Sequence, residues 1–238
     1  LGVPADSPAA RLIRRLPAPT PEATGTAAEA AAPASSEKGP DSVLAGLALE
    51  AEAAPVVVAD PDQTQALHSS GLLTTGIQDV TQALVESVPL NDVLRMVLET
   101  MYRALGFQRV LLCLRDPGHP QLLGRMGLGA DGMDVARRFR VGLGSEHDLF
   151  ALVCAKGADT LISDASAANV VQRLPAWYRE QVNAPSFLLL PLLFKGAPLG
   201  LIYADMARAG GLVLNEQQLS LLKTLRNQAV MAFRQAKS

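Results

Sequence analysis

Between Phe187 and Asp205 the chain reads FLLLPLLFKGAPLGLIYAD, two apolar runs separated by Lys195-Gly196. Each run has strand length and is too short to span a membrane. Gly accepts positive φ at no steric cost, so Lys195-Gly196 predicts the turn of a hairpin. Strands apolar on both faces belong in the middle of a sheet covered by helices. Leu190, Leu192, Leu199 and Leu201 are therefore expected in its buried centre. The run closes on Tyr203-Ala204-Asp205, which is expected to place a polar group where the hairpin reaches the surface.

Elsewhere the apolar period is helical. Leu73, Ile77, Val80 and Leu84 share one face of a helix predicted from about Gln63 to Ser87. Val88-Pro89-Leu90-Asn91 breaks it, and Asn91 is the expected N-cap of a helix over 92–105. Val93, Val97, Met101 and Leu105 are its inner stripe, and Gly106 ends it. Strands are predicted at 109–114 and 121–128, the second weakened by glycines. A short helix over 131–137 and an extended stretch over 139–143 follow. Ser145 is the expected cap of a helix running to Lys156 and closed by Gly157. Thr160-Leu161-Ile162 reads as a short strand and 174–181 as a short helix. After the hairpin, Asn215 caps a terminal helix to about Gln235, with Leu222, Leu225, Ala229 and Phe233 on one face. This order fits an α+β domain, a mostly antiparallel sheet with helices packed on one side, because the βαβ rhythm of a parallel sheet is absent.

Composition divides the chain in two. Every aromatic residue lies at or after Tyr102, and nine of the 16 prolines lie at or before Pro61. A segment so poor in large side chains cannot bury enough apolar surface to offset its conformational entropy. Residues 1–63 therefore read as an Ala/Pro-rich linker or disordered arm, and 64–238 as the folded domain. The formal net charge is −2 with signs interspersed, so no nucleic-acid footprint appears. Arg11, Arg14 and Arg15 read as a solvated patch in the arm. No run suits a membrane helix, and the start lacks the pattern of a signal peptide. Cys113 and Cys154 make no disulfide framework, which fits a reducing cytoplasm. The start at Leu1 rather than Met suggests a piece of a longer protein.

Taken in order, these pieces resemble the GAF family of bacterial sensory domains from about Leu72 to Phe233. The carrying segments are Leu90–Gly106 with the strand after it, Thr160–Asp164, the Pro- and Gly-containing hairpin Leu188–Asp205 with its Gly-Leu-Ile strand, and the helix from Asn215 with Gln228-Ala229. The resemblance implies a PAS-related fold with a central six-stranded antiparallel sheet. The first and last helices would cover one face. Short helices and loops between about Leu128 and Asn183 would roof a pocket on the other. It implies a signal-input or dimerisation module rather than a catalyst; no cofactor or metal is expected from the residues themselves. The end of the chain also resembles a GAF module that follows an HDOD domain.

Subclass signatures of the family are missing. No Asn-Lys pair occurs, which disfavours cyclic-nucleotide binding. Neither cysteine adjoins a histidine, as bilin attachment needs. Two cysteines fall short of the cluster that free methionine sulfoxide reduction uses. Cys113, in an apolar strand, and Cys154 are read as packing. His147 is the most interesting histidine, beside the expected pocket, although no further metal ligands cluster with it. Asp164 and Asp205 each follow an apolar strand. The preferred reading for both is a carboxylate capping the next turn, ahead of one on a pocket rim. The candidate ligand-binding set is Arg125, Arg140, His147, Asp164, Trp177 and Tyr178. No P-loop, Ser-His-Asp set or dinucleotide glycine pattern is present.

Two functions remain. One is a sensory module that binds an unidentified small molecule and signals through its terminal helices. The other is a ligand-free scaffold whose pocket is filled by its own side chains and which dimerises or docks a partner domain. Off-stripe apolar residues Leu72, Leu221 and Val230 widen the helical faces and predict a homodimer through the terminal helices.

Overall fold

The computed structural model describes residues 61–144 and 147–236. The chain divides into two units, Leu1–Ala54 and Pro55–Ser238, and the described residues all belong to the second. The reading of 1–63 as an arm lies outside the described residues except at its end. Helix α1 spans Pro61–Val85, so residues 61–63 are its first turn. A proline fits that position, because its missing N–H has no partner to lose there.

Helix α2 follows over Leu90–Leu105. It starts earlier than the expected Asn91 cap: the Pro89 carbonyl accepts from the amides of Asp92 (2.9 Å) and Val93 (3.1 Å). Gly106 closes α2 in the left-handed conformation, with φ 63°. Strands β1 (Arg109–Arg115) and β2 (Gln121–Gly129) lead to α3 (Gly132–Arg138) and β3 (Arg140–Gly142). Next come α4 (Leu149–Lys156), β4 (Thr160–Ile162), α5 (Ala168–Val171) and α6 (Ala176–Gln181). The hairpin is β5 (Ser186–Phe194) and β6 (Ala197–Met206), and α7 (Glu216–Gln235) ends the fold. Asn215 caps α7 as predicted, in a reciprocal capping box with Gln218.

Six strands form one antiparallel sheet in the order β3-β2-β1-β6-β5-β4. Lys195 and Gly196 make the two-residue turn of its central hairpin, with φ 51° and 78°. Positive φ at both turn residues matches the right-handed twist of the flanking strands. Pro191 lies beyond the end of β4, on a stretch of β5 whose outer side has no strand partner. A residue without an N–H is tolerated there. The Pro191 carbonyl accepts from Arg226 Nη1 at 3.2 Å.

Alternation sorts the strand residues onto two faces. Val110, Leu112, Leu188, Leu190, Leu192, Ile202 and Ala204 face the long helices. Leu111, Cys113, Phe187, Leu189, Leu201 and Tyr203 face the short ones. Leu190, Leu192 and Leu201 are fully buried as expected, but Leu199 is half-buried. The reason is a bulge. Leu192 pairs with Gly200 and Leu193 with Pro198, so Leu199 is the extra, unpaired residue.

The long helices cover one face as expected, but in two tiers. Helices α2 and α7 lie on the sheet, whereas α1 packs on α2 and α7 rather than on the sheet. This explains why α2 buries Leu94, Leu98 and Ala104 beyond its predicted stripe: it is covered on two sides. Gly76 permits the approach, since a Cβ there would run into the Thr100 side chain of α2. Gln228 of α7 ties α1 down by donating to the Ile77 carbonyl (3.0 Å) and to Thr81 Oγ1 (2.7 Å). Leu221 and Val230 are half-buried against this core, while Leu72 remains 36% exposed.

Emptying the centre of this sheet tests the architecture. Leu201→Ala should lower the unfolding free energy by about 2–5 kcal/mol in urea titrations. A change below about 1 kcal/mol would mean that β6 is not a core strand.

Candidate functional site

The face of the sheet away from the long helices is covered by α3, α4, α6 and their loops. Helix α3 can lie directly on β2 because Gly124 and Gly127 present no side chain to it. A Cβ at either would strike the backbone of Ala136 or of Gly132. The glycines that weaken the strand pattern are therefore what seat the roof. Helix α4 is capped by Asp148, whose carboxylate accepts from the amides of Phe150 (2.8 Å) and Ala151 (3.4 Å). Burial raises the Asp148 carboxyl against the pull of those two bonds. The expected cap Ser145 precedes this helix start, and its own placement lies outside the described residues.

Beneath the roof the space is filled by aromatic rings. Phe150 of α4 stacks on Phe187 of β5 at 5.9 Å between centroids. Phe139, between α3 and β3, meets Trp177 edge-on at 4.8 Å and Tyr203 at 4.9 Å. Tyr178 of α6 closes the cluster against Phe150 and Phe187, both at 5.2 Å. Five of these six rings are fully or almost fully buried, and Trp177 is half-buried at the edge. Edge-to-face and offset pairs of this kind add to the stabilisation from area burial.

Within the rings runs one polar chain. Arg109 and Asp205 are direct partners in the β1–β6 ladder, and Leu111 pairs with Tyr203 two residues on. Arg109 donates to Asp205 Oδ2 from Nη2 at 2.7 Å and from Nε at 2.9 Å. Tyr203 donates to the same oxygen at 2.7 Å. With its proton so used, Tyr203 is the acceptor in its 3.2 Å contact with the Tyr178 hydroxyl. The Ala184 carbonyl, 3.3 Å away, is the other acceptor within reach of Tyr178. Burial pushes the Asp205 carboxyl up, and the Arg109 and Tyr203 hydrogen bonds oppose it. Burial alone would lower Arg109, but the hydrogen bond and charge of Asp205 outweigh it and hold the guanidinium protonated. Desolvation raises both tyrosines, so they stay neutral donors. The expectation that Asp205 caps a turn at the surface is corrected: it is fully buried in an ion pair.

This architecture agrees with the comparisons. A GAF domain profile matches residues 87–234. The chain belongs to the GAF domain family. Its fold is similar to the GAF domain from the Acinetobacter phosphoenolpyruvate-protein phosphotransferase, with TM-score 0.56 and 18% identity over 75% of this chain and 96% of that one. The GAF domain of the corresponding Coxiella burnetii protein aligns with TM-score 0.57 and 17% identity, over 71% and 96% of the two chains. A free methionine-R-sulfoxide reductase from Neisseria meningitidis aligns with TM-score 0.51 and 19% identity, over 70% and 93%. No curated protein matches the chain in sequence. GAF domains are typically sensory or regulatory parts of signalling proteins.

Of the six candidate residues, the GAF fold brings together Trp177 and Tyr178, whose rings meet edge-on at 5.9 Å. Arg125 is exposed, as the extra residue of a bulge opposite Leu112 and Cys113. Arg140 is exposed on β3, and His147 is exposed just before the α4 cap. Asp164 is exposed and accepts from the Ser166 hydroxyl (2.6 Å) and amide (2.8 Å), bonds that lower its pKa. That is the turn-capping role preferred from the sequence. The residues missed are Arg109, Tyr203 and the ring set Phe139, Phe150 and Phe187. A charge opening the apolar run 110–114 and an opposite charge closing 199–204 were the available signal. Among the described residues no cluster suits a metal, and no helix is long and apolar enough to cross a membrane.

Two outcomes follow from this burial. Asp205→Ala should destabilise the domain by about 3–5 kcal/mol, since it strands a buried guanidinium, whereas Arg109→Met with Asp205→Leu should recover most of the loss. Equal losses in urea unfolding of the single and double variants would contradict a desolvated pair. The thiols are also shielded: burial pushes Cys154 up to about 12 and raises Cys113 as well. Mass spectrometry should find neither alkylated by iodoacetamide at pH 8 until urea unfolds the chain. Fast native labelling of Cys154 would show that the roof opens.

Proposed function

We propose that this GAF domain is a non-catalytic regulatory module of a cytoplasmic signalling protein, working as a scaffold that pairs with a second copy of itself. The carrying observation is the roof interior. It is occupied by six interlocked rings and by a polar chain whose members satisfy one another. A sensing pocket would present convergent polar groups to an open space. The aromatic filling weighs against the small-molecule reading of the roof.

The long helices supply the surface for pairing. Leu72 and Val85 of α1 and Met231 of α7 are exposed, at 36%, 74% and 49%. Apolar surface in excess of what one chain covers favours contact with a partner, and two-fold pairing is the commonest symmetry. In this reading α1 and α7 of two copies form a four-helix bundle. A domain joined at either end is then coupled to the packing of those helices.

Light scattering on the full chain should give twice the 25.1 kDa chain mass. Leu72→Glu and Met231→Glu, at exposed positions that leave the core intact, should shift the protein towards the single-chain mass. A wild-type chain that stays at the single mass at high concentration would refute the pairing.

A further inference from the structure

Away from the aromatic roof, the helical layer leaves a cavity of about 730 Å³. It opens where the start of α1, the end of α2 and the start of α7 meet the loop after β6. Its volume lies in the usual small-molecule range of about 300–1,000 Å³. Leu105 and Met206 contribute apolar lining.

Two polar side chains lining it are more than nine-tenths buried, Ser69 at 7% and Gln218 at 5% exposure. The Ser69 hydroxyl makes no hydrogen bond among the described residues. Gln218 uses its carbonyl oxygen to accept from the Asn215 amide at 3.0 Å, which leaves its side-chain N–H groups uncommitted. Both residues are buried as a whole yet line the cavity, which leaves these donors available to a bound molecule. Gln108, half-buried, adds its amide side chain.

The charge of the lining has one sign. Arg208 is its charged member, and none of the described lining residues carries a carboxylate. Glu216, in the first turn of α7, is exposed and outside the lining. The 20-residue helix α7 begins at the cavity and turns the positive end of its dipole towards it.

We infer that this cavity binds a small organic anion, a carboxylate on an apolar body. The body lies against Leu105 and Met206. The carboxylate accepts from Ser69 and Gln218 and pairs with Arg208. Such a ligand bridges α1 and α7, and therefore bears on the same helical layer without entering the roof. The inference stands apart from the pairing reading, since it requires one chain only.

The test is a titration of benzoate into the isotopically labelled full chain, followed by amide chemical shifts, with benzamide as the neutral isostere. Benzoate should move the amides of Gly106, Gly211 and Gln218 in a saturable way and bind more tightly than benzamide. Arg208→Ala should weaken benzoate about tenfold, as loss of one hydrogen bond to a charge does. Its backbone carbonyl, which accepts from Ser186 Oγ at 2.8 Å, is untouched by that change. Ala66→Trp, which fills the cavity from α1, should abolish binding while the circular dichroism spectrum is kept. Shifts confined to other surfaces, no saturable shift, or equal binding of benzamide would overturn the proposal.

Discussion

Antiparallel pairing of β5, β6 and β1 forces successive residues to opposite faces, and the rest of the structure depends on that alternation. On β6, Leu201, Tyr203 and Asp205 point one way, while Ile202 and Ala204 point the other. The same register sets Arg109 opposite Asp205 and Leu111 opposite Tyr203. One face thereby becomes largely aliphatic and suits broad packing of α2 and α7. The other carries tyrosine hydroxyls and a charge pair, and needs rings shaped around them. A slip of one residue would exchange the two sets and leave the ion pair among leucines.

Departures from regular pairing then fit each layer to the sheet. Bulges at Arg125 and Leu199 take single residues out of the ladder. Glycines at 124 and 127 let α3 settle on β2 by backbone contact, and Gly76 lets α1 settle on α2. In each case the missing side chain sets an interlayer distance that a Cβ would not permit.

The two sides differ in how completely their polar atoms are satisfied. Under the roof, Arg109, Asp205, Tyr203 and Tyr178 form one connected chain. In the helical layer, Ser70 Oγ and Gln228 Oε1 are buried without a hydrogen-bond partner. Unsatisfied buried groups weaken a packing contact. The α1 seam is thus the less tightly determined one.

Much of this was legible in the chain itself. The Lys195-Gly196 turn, the strand Thr160–Ile162, the Gly106 and Gly157 helix ends and the Asn215 cap are local features, specified by conformational preference and short-range hydrogen bonding. Period and order were enough to predict an antiparallel α+β sheet and the GAF resemblance. Other features were decided only by the tertiary structure. Arg109 and Asp205 are 96 residues apart, and nothing local to either indicates that a ladder will bury them together. The position of α1 depended on α2 having already covered the sheet. Leu199 left the core because of a bulge rather than its own character. Local chemistry determines which elements form, whereas register and layering, set by contacts distant in sequence, decide which side chains meet.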